Sequence, residues 1–347
     1  MIAIYRTGAH RHRTPLAYPA LAPLFAPHLA EVADPLEADL WLFAHPLDVA
    51  DAPPALVEHW RARRLPVVIL SEEPFWDTLW GRRPLARHFT IDTRAGRLPV
   101  IQLNHATCVI FRFAEIPYYL LSNHRFANAY ATRFARNAAL TPADWQARFQ
   151  GYASDLTFLF ERRPGAFHSV RWPEGDILGL CAWRTEIAEV CEGEGIRRLG
   201  ASWQGGPSRF DLDNWHLDKL VRLDGTTRKL AAFENTHQPQ YLTEKLFDAF
   251  ACGALPLYAA SRHHRIHGLG LPSASWLNLY GMTAPEAAQA IRAWRPDDAF
   301  FAAYTEAQAA LAQRFGDTGL WLDERARLAE AVLDELRGVL RQYRAAA

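Results

Sequence analysis

The sequence predicts an α/β protein built as two successive domains. Short β-prone apolar runs alternate with helical stretches along most of the chain. The alternation breaks once, near the middle, and then resumes. With 347 residues the chain is too long for one ordinary domain and comfortable for two. Alternation of this kind implies parallel strands with crossover helices, so each domain is expected to be Rossmann-like.

The opening Met1-Ile2-Ala3-Ile4-Tyr5 reads as a first strand and not as a targeting signal, which would need a charged stretch and a long apolar core. Strands follow at 40–43, 67–70 and 88–91, with a helix over 53–64 between them. Residues 121–137 read as a helix, and the stretch containing Pro142 reads as a linker. A second series then runs through strands 156–160, 196–199, 230–233 and 254–258. Helices over 187–192 and 243–252 separate them, with Thr243 as a candidate N-cap and Gly253 just past a helix end. An amphipathic helix over 322–343 closes the chain. The expected division is 1–150 and 151–347, the last helix going with the second domain.

Composition narrows the function. Half of the residues are apolar, and 38 Lys and Arg balance 38 Asp and Glu. A formally neutral chain does not point to nucleic acid as a partner. Cys108, Cys181, Cys191 and Cys252 lack metal-site spacing and sit among apolar neighbours, which predicts buried free thiols in a reducing compartment. No run approaches the roughly 20 apolar residues of a membrane helix. The expected location is cytoplasmic, with peripheral membrane association still open. The lysines are only Lys219, Lys229 and Lys245 among many arginines.

Polar residues concentrate between Leu230 and Tyr258. A strand ends in a loop carrying Glu234, Asn235, Thr236, His237 and Gln238, and a helix begins with Thr243, Glu244 and Lys245. In parallel sheets ligands sit beyond the carboxyl ends of strands. A helix N-terminus favours phosphate, and Lys245 adds a full charge there. Glu244 would repel phosphate and needs another role, such as accepting ribose hydroxyls. The triplet alone is equally a capped helix start with a solvated lysine.

The whole segment says more. Phe233-Glu234-Asn235-Thr236, then Tyr241-Leu242-Thr243-Glu244-Lys245-Leu246, then Gly253-Ala254-Leu255-Pro256-Leu257 resembles the α1,3/4-fucosyltransferase signature in order and spacing. Weaker similarity covers Ile110 to Tyr119, Arg184 and Pro272 to Leu279. The resemblance implies a bacterial-type member with two Rossmann-like domains facing a cleft, the arrangement called GT-B. It implies an acceptor domain first and a donor-nucleotide domain second. Arg184 and Lys245 would meet the pyrophosphate, Glu244 the ribose, Asn235 and Tyr241 the nucleotide pocket, and Glu234 the neighbouring sugar. The implied reaction is inverting transfer of L-fucose from GDP-fucose to a glycan hydroxyl in bacterial surface polysaccharide or lipopolysaccharide assembly. No metal or other cofactor is expected. Another nucleotide sugar as donor stays open, as does an inactive glycan- or nucleotide-binding protein.

Such a transfer needs a base. Glu72 and Glu73 follow the strand at 67–70 directly, at the position where the resemblance places it. Repulsion between neighbouring carboxylates, with partial burial, is expected to raise one of them. Glu72 is the first candidate and Glu73 the second. The loop His10-Arg11-His12-Arg13 after the first strand reads as an acceptor or phosphate contact or as a solvated turn. The cluster Arg262-His263-His264-Arg265-Ile266-His267 matches no zinc spacing. Of Trp76, Trp80, Trp203 and Trp215, only Trp76 is placed to serve as a sugar platform. Arg6-Thr7-Gly8-Ala9-His10 stands where a dinucleotide fold would carry G-x-G-x-x-G.

Overall fold

The protein is α/β throughout, in a computed structural model that describes residues 1–203 and 212–346. It divides into two compact units, Met1–His124 with Trp321–Ala347, and Arg125–Leu320.

In the first unit, β1 (Ile2–Arg6), β2 (Leu29–Glu31), β3 (Leu40–Phe43), β4 (Val67–Leu70), β5 (His88–Thr93) and β6 (Gly96–Leu103) form one sheet. Its order is β2-β1-β3-β4-β6-β5. All neighbours run parallel except β5, which returns antiparallel along β6. β3 and β4 are buried along their whole length, which is why they read as unbroken apolar runs. Trp41, Phe43, Val67, Ile69 and Val100 pack with Val57 and Trp60 of the Pro54–Arg63 helix into one core.

β6 was not expected from the sequence. Its GRLPVIQL alternates only loosely and contains Pro99, a residue that argues against an inner strand. The structure accommodates it because pairing with β4 starts at Ile101, beyond the proline. The strand at 88–91 is therefore half of a hairpin and not a further parallel strand.

The closing helix, Thr318–Ala346, is longer than the expected 322–343, and from Trp321 onward it belongs to this first unit. Three successive backbone N–H groups, of Ala114, Glu115 and Ile116, donate to Glu324 Oε1 at 2.7, 2.6 and 3.3 Å. Arg87 pairs with Glu335 at 2.7 Å. These long-range bonds have no local sequence signature, so the helix was grouped by chain order with 151–347.

The second unit carries β7 (Ser154–Leu159), β8 (Arg171–Trp172), β9 (Ile177–Gly179), β10 (Ile196–Leu199), β11 (Thr227–Ala231), β12 (Thr236–His237), β13 (Leu255–Tyr258) and β14 (Leu277–Asn278). Five of them form a parallel sheet in the order β10-β7-β11-β13-β14. A small antiparallel sheet, β12-β9-β8, sits on the loops that leave it. The Pro142 stretch is a helix, Pro142–Gly151, and not a linker. Its proline stands at the first helical position and Thr141 and Asp144 close a capping box, so the local chemistry starts a helix. The preceding helix runs His124–Ala138, and Tyr118–Leu121 is a separate turn. All four cysteines are buried and free. Among the described residues no helix is long and apolar enough to cross a membrane.

Candidate functional site

β11 ends at Ala231, two residues short of the expected strand, because the chain turns at once into the loop that carries Glu234. That loop and the Glu244–Ala251 helix bring the expected donor residues together. Thr243 occupies the N-cap position, yet its hydroxyl accepts no backbone N–H of the helix. Glu234 takes that place: its Oε1 accepts from the Thr243 N–H at 2.9 Å and the Thr243 hydroxyl at 2.8 Å. Lys245 Nζ lies 2.8 Å from Glu234 Oε2, 2.9 Å from Thr243 Oγ1 and 3.5 Å from Glu244 Oε1. The helix start is thus already occupied by a carboxylate and its lysine.

Arg184, on the Cys181–Val190 helix, is 2% exposed. Its Nη1 donates to the carbonyls of Phe233 and Glu234, both at 3.2 Å, and its guanidinium lies over the Phe160 ring at 4.7 Å. Nε is buried and donates to nothing among the described residues. Arg184 has no carboxylate partner among them either. A buried cation in that state is costly unless an anion arrives to meet it. Asn235 accepts the Leu180 N–H through its carbonyl at 2.9 Å, and Tyr241 is buried with its carbonyl 3.1 Å from His264 Nε2.

Behind the loop lies a buried charge network that sequence reading missed. Lys219 Nζ pairs with Asp248 Oδ2 at 2.7 Å, and Tyr130 donates to Asp248 Oδ1 at 2.8 Å. Burial raises the Asp248 carboxyl above its ordinary value. Burial also acts to raise Glu244, but the nearby cations, Lys245 first, outweigh it and hold Glu244 low. Burial pushes the His216 imidazole down to about 3, so it is neutral. His216, Glu244 and Asp248 offer ligand atoms within 4.8 Å of one another. The ammonium groups of Lys219 and Lys245 already supply the positive charge there. The chain also holds one Asp-x-Asp triplet, Asp211-Leu212-Asp213, which the metal-free expectation overlooked. Its first residue lies outside the described residues.

In the first unit Glu72 follows β4 and is buried. Its Oε1 accepts from Arg13 Nε at 2.6 Å and from the Tyr18 hydroxyl at 2.8 Å. Its Oε2 accepts from Tyr18 at 2.9 Å and from the Tyr118 hydroxyl. Glu73 has a different place: its side chain caps the Pro74–Trp76 turn by accepting from the Phe75 N–H at 3.3 Å. The carboxyl that burial raises here is Asp77, four residues on, pushed up to about 7 against the pull of Ser71 and Asn104. Arg13, Tyr18, Tyr118 and Asp77 come from four separate stretches, and of these only Arg13 lay in a loop read as a possible contact.

No family model matches the chain, and no curated protein does. Among solved structures the chain is similar to an alpha1,3-fucosyltransferase crystallised with GDP-fucose. The two share 15% identity over 88% of this chain and 80% of that one, with a TM-score of 0.41. A likeness at this distance identifies no family.

Proposed function

We propose that the protein is a glycosyltransferase whose second unit binds a nucleoside-diphosphate sugar and whose first unit serves the acceptor. The observation that carries this reading is Arg184, a buried guanidinium anchored on two carbonyls with no carboxylate partner among the described residues. From its helix it holds the backbone carbonyl of Glu234, whose side chain holds Lys245. A diphosphate arriving here meets one unpaired cation and can draw Lys245 from its carboxylates. Charge that builds on the departing diphosphate is met by the same two groups.

The finer reading follows the motif: GDP-L-fucose as donor, inversion at the anomeric carbon, a glycan hydroxyl as acceptor, and a role in bacterial surface glycan assembly in the cytoplasm. Arg184 and Lys245 supply the positive charge for the pyrophosphate without a metal. Asn235, Tyr241 and Glu244 serve the nucleoside, with Thr243 and Glu234 setting the position of Lys245. Glu72 and Glu73 are the carboxylates that the motif offers as base. Another nucleotide sugar as donor is the second reading, since no residue that reads the nucleobase has been assigned.

Thermal unfolding with GDP, UDP, CMP, ADP and NAD tests the reading, because a ligand of the folded form raises the midpoint. The expected result is a rise with GDP that Lys245→Ala removes. A rise with UDP or CMP instead discards fucose and keeps the reaction class. A rise with none of them discards the donor site.

A further inference from the structure

Glu72 is an awkward base. Its two oxygens accept from a guanidinium and two phenols. A hydroxyl to be deprotonated would have to displace one of them. A few residues from Arg13, another group has the geometry that Glu72 lacks.

Gly8 follows β1 with φ +101°, a conformation suited to glycine, and a Cβ there would collide with the Asp48 carboxylate. This close passage lays the His10 backbone N–H 3.0 Å from Asp48 Oδ2 and His10 Nδ1 2.8 Å from Asp48 Oδ1. The carboxylate can only accept, so Nδ1 carries a hydrogen, and in the neutral ring Nε2 then keeps its lone pair. Asp48 is buried, its side chain 3% exposed, while that of His10 is 39% exposed. Nε2 bonds to nothing among the described residues. The ring stacks on His45 at 4.6 Å and tilts against Trp76 at 5.4 Å. His45 accepts the Leu47 N–H through Nδ1, and burial pushes it down to about 4, so it adds no charge beneath His10. Arg13 lies over Trp76 at 5.0 Å and is paired with Glu72. The charged groups around His10 are therefore Asp48 in contact, Arg13 with Glu72 beyond Trp76, and Arg11 and His12 on its own loop.

We propose that His10, aligned by Asp48, is the general base that takes the proton of the acceptor hydroxyl, a step that rests on the glycosyltransferase reading. The hydroxyl proton passes to Nε2 as its oxygen forms the new bond to the anomeric carbon. The bond from that carbon to the diphosphate breaks, and its electron pair leaves with the diphosphate. Asp48 is a positioning residue: it fixes the tautomer and stabilises the imidazolium that forms, and solvent later takes the proton. Trp76 beside the ring gives an apolar sugar face a surface to rest on.

The experiment follows GDP-fucose hydrolysis, with water as the acceptor, against pH for four proteins. Wild type should show a rate that rises as an imidazole loses its proton. His10→Gln should lose about 100-fold and the rising limb with it. Asp48→Asn should lose about tenfold or more, because the ring has lost the carboxylate that aligns it. Glu72→Gln should keep the limb. Histidine-selective nitrogen NMR should find His10 protonated on Nδ1, and no longer held so in Asp48→Asn. The inference is overturned if His10→Gln stays within about threefold of wild type, if the limb vanishes in Glu72→Gln instead, or if NMR finds the other tautomer. GDP stabilisation, measured on the same samples, reports on the second unit: its absence in wild type removes the donor reading and this step with it, whereas its persistence in His10→Gln isolates the base.

Discussion

Arg184→Ala should weaken GDP binding by about 100-fold, some 3 kcal/mol, while wild type and variant unfold cooperatively alike. The size of the effect follows from where the charge sits. Arg184 is 2% exposed, lies on the Phe160 ring, and is anchored to the Phe233 and Glu234 carbonyls, so it is organised before any ligand arrives. A charge-assisted bond to phosphate made from such a position costs little ordering. Arg184→Lys separates charge from shape. A point charge on a flexible stem cannot hold both carbonyls and a phosphate, so the lysine variant should recover only part of the loss. Calorimetric titration with GDP measures both. Unchanged affinity in Arg184→Ala would mean that the buried guanidinium serves the loop alone.

The second large effect concerns stability. Asp77 is buried, with Asn104 donating to its Oδ2 at 2.9 Å, and burial pushes its carboxyl up to about 7 from an ordinary 3.8. The folded protein therefore holds this proton more tightly than the unfolded chain does. Between the two values the folded state binds more protons, so stability falls as pH rises from about 4 through about 7, then levels off. The full loss is on the order of 2–4 kcal/mol. Asp77→Asn keeps the shape and the acceptor for Asn104 without a titrating group. Urea unfolding should show the variant close to wild type at pH 5 and more stable at pH 8. A variant equally or less stable at pH 8 would show that Asp77 is ionised and accommodated in the fold.

Much of this architecture could be read from the sequence, for reasons that can be named. β3, β4, β11 and β13 are buried runs between helices, and Gly253 marks a helix end by local chemistry. β6, and with it the β5–β6 hairpin, was hidden by Pro99 and by loose alternation. The closing helix was assigned by chain order, because the bonds that tie Glu324 to residues 114–116 span more than 200 positions.

The second unit's residues lie within one motif, and Glu234, Thr243 and Lys245 meet at the start of the Glu244–Ala251 helix. What spacing could not show is that the Glu234 carboxylate accepts from Thr243 and Lys245 at the helix start, or that Arg184 has no carboxylate partner among the described residues. Lys219 was visible only as one of three lysines in an arginine-rich chain, and its partner Asp248 reads as ordinary helix. The first unit was harder. Glu72 was found by position, but Arg13, Tyr18 and Tyr118 reach it from 59, 54 and 46 residues away. Asp48 sits in a short helix that no motif marks, and only the positive φ of Gly8 explains how His10 meets it.

The central claim is that a nucleoside diphosphate binds beside Arg184 and Lys245, and amide hydrogen exchange with and without GDP tests it most directly. Protection should rise at the starts of the Cys181–Val190 and Glu244–Ala251 helices and along the loop from Phe233 to Thr243. It should be absent in Arg184→Ala at the same GDP concentration. Protection confined to the loop after β1, or none in the second unit, would contradict the account.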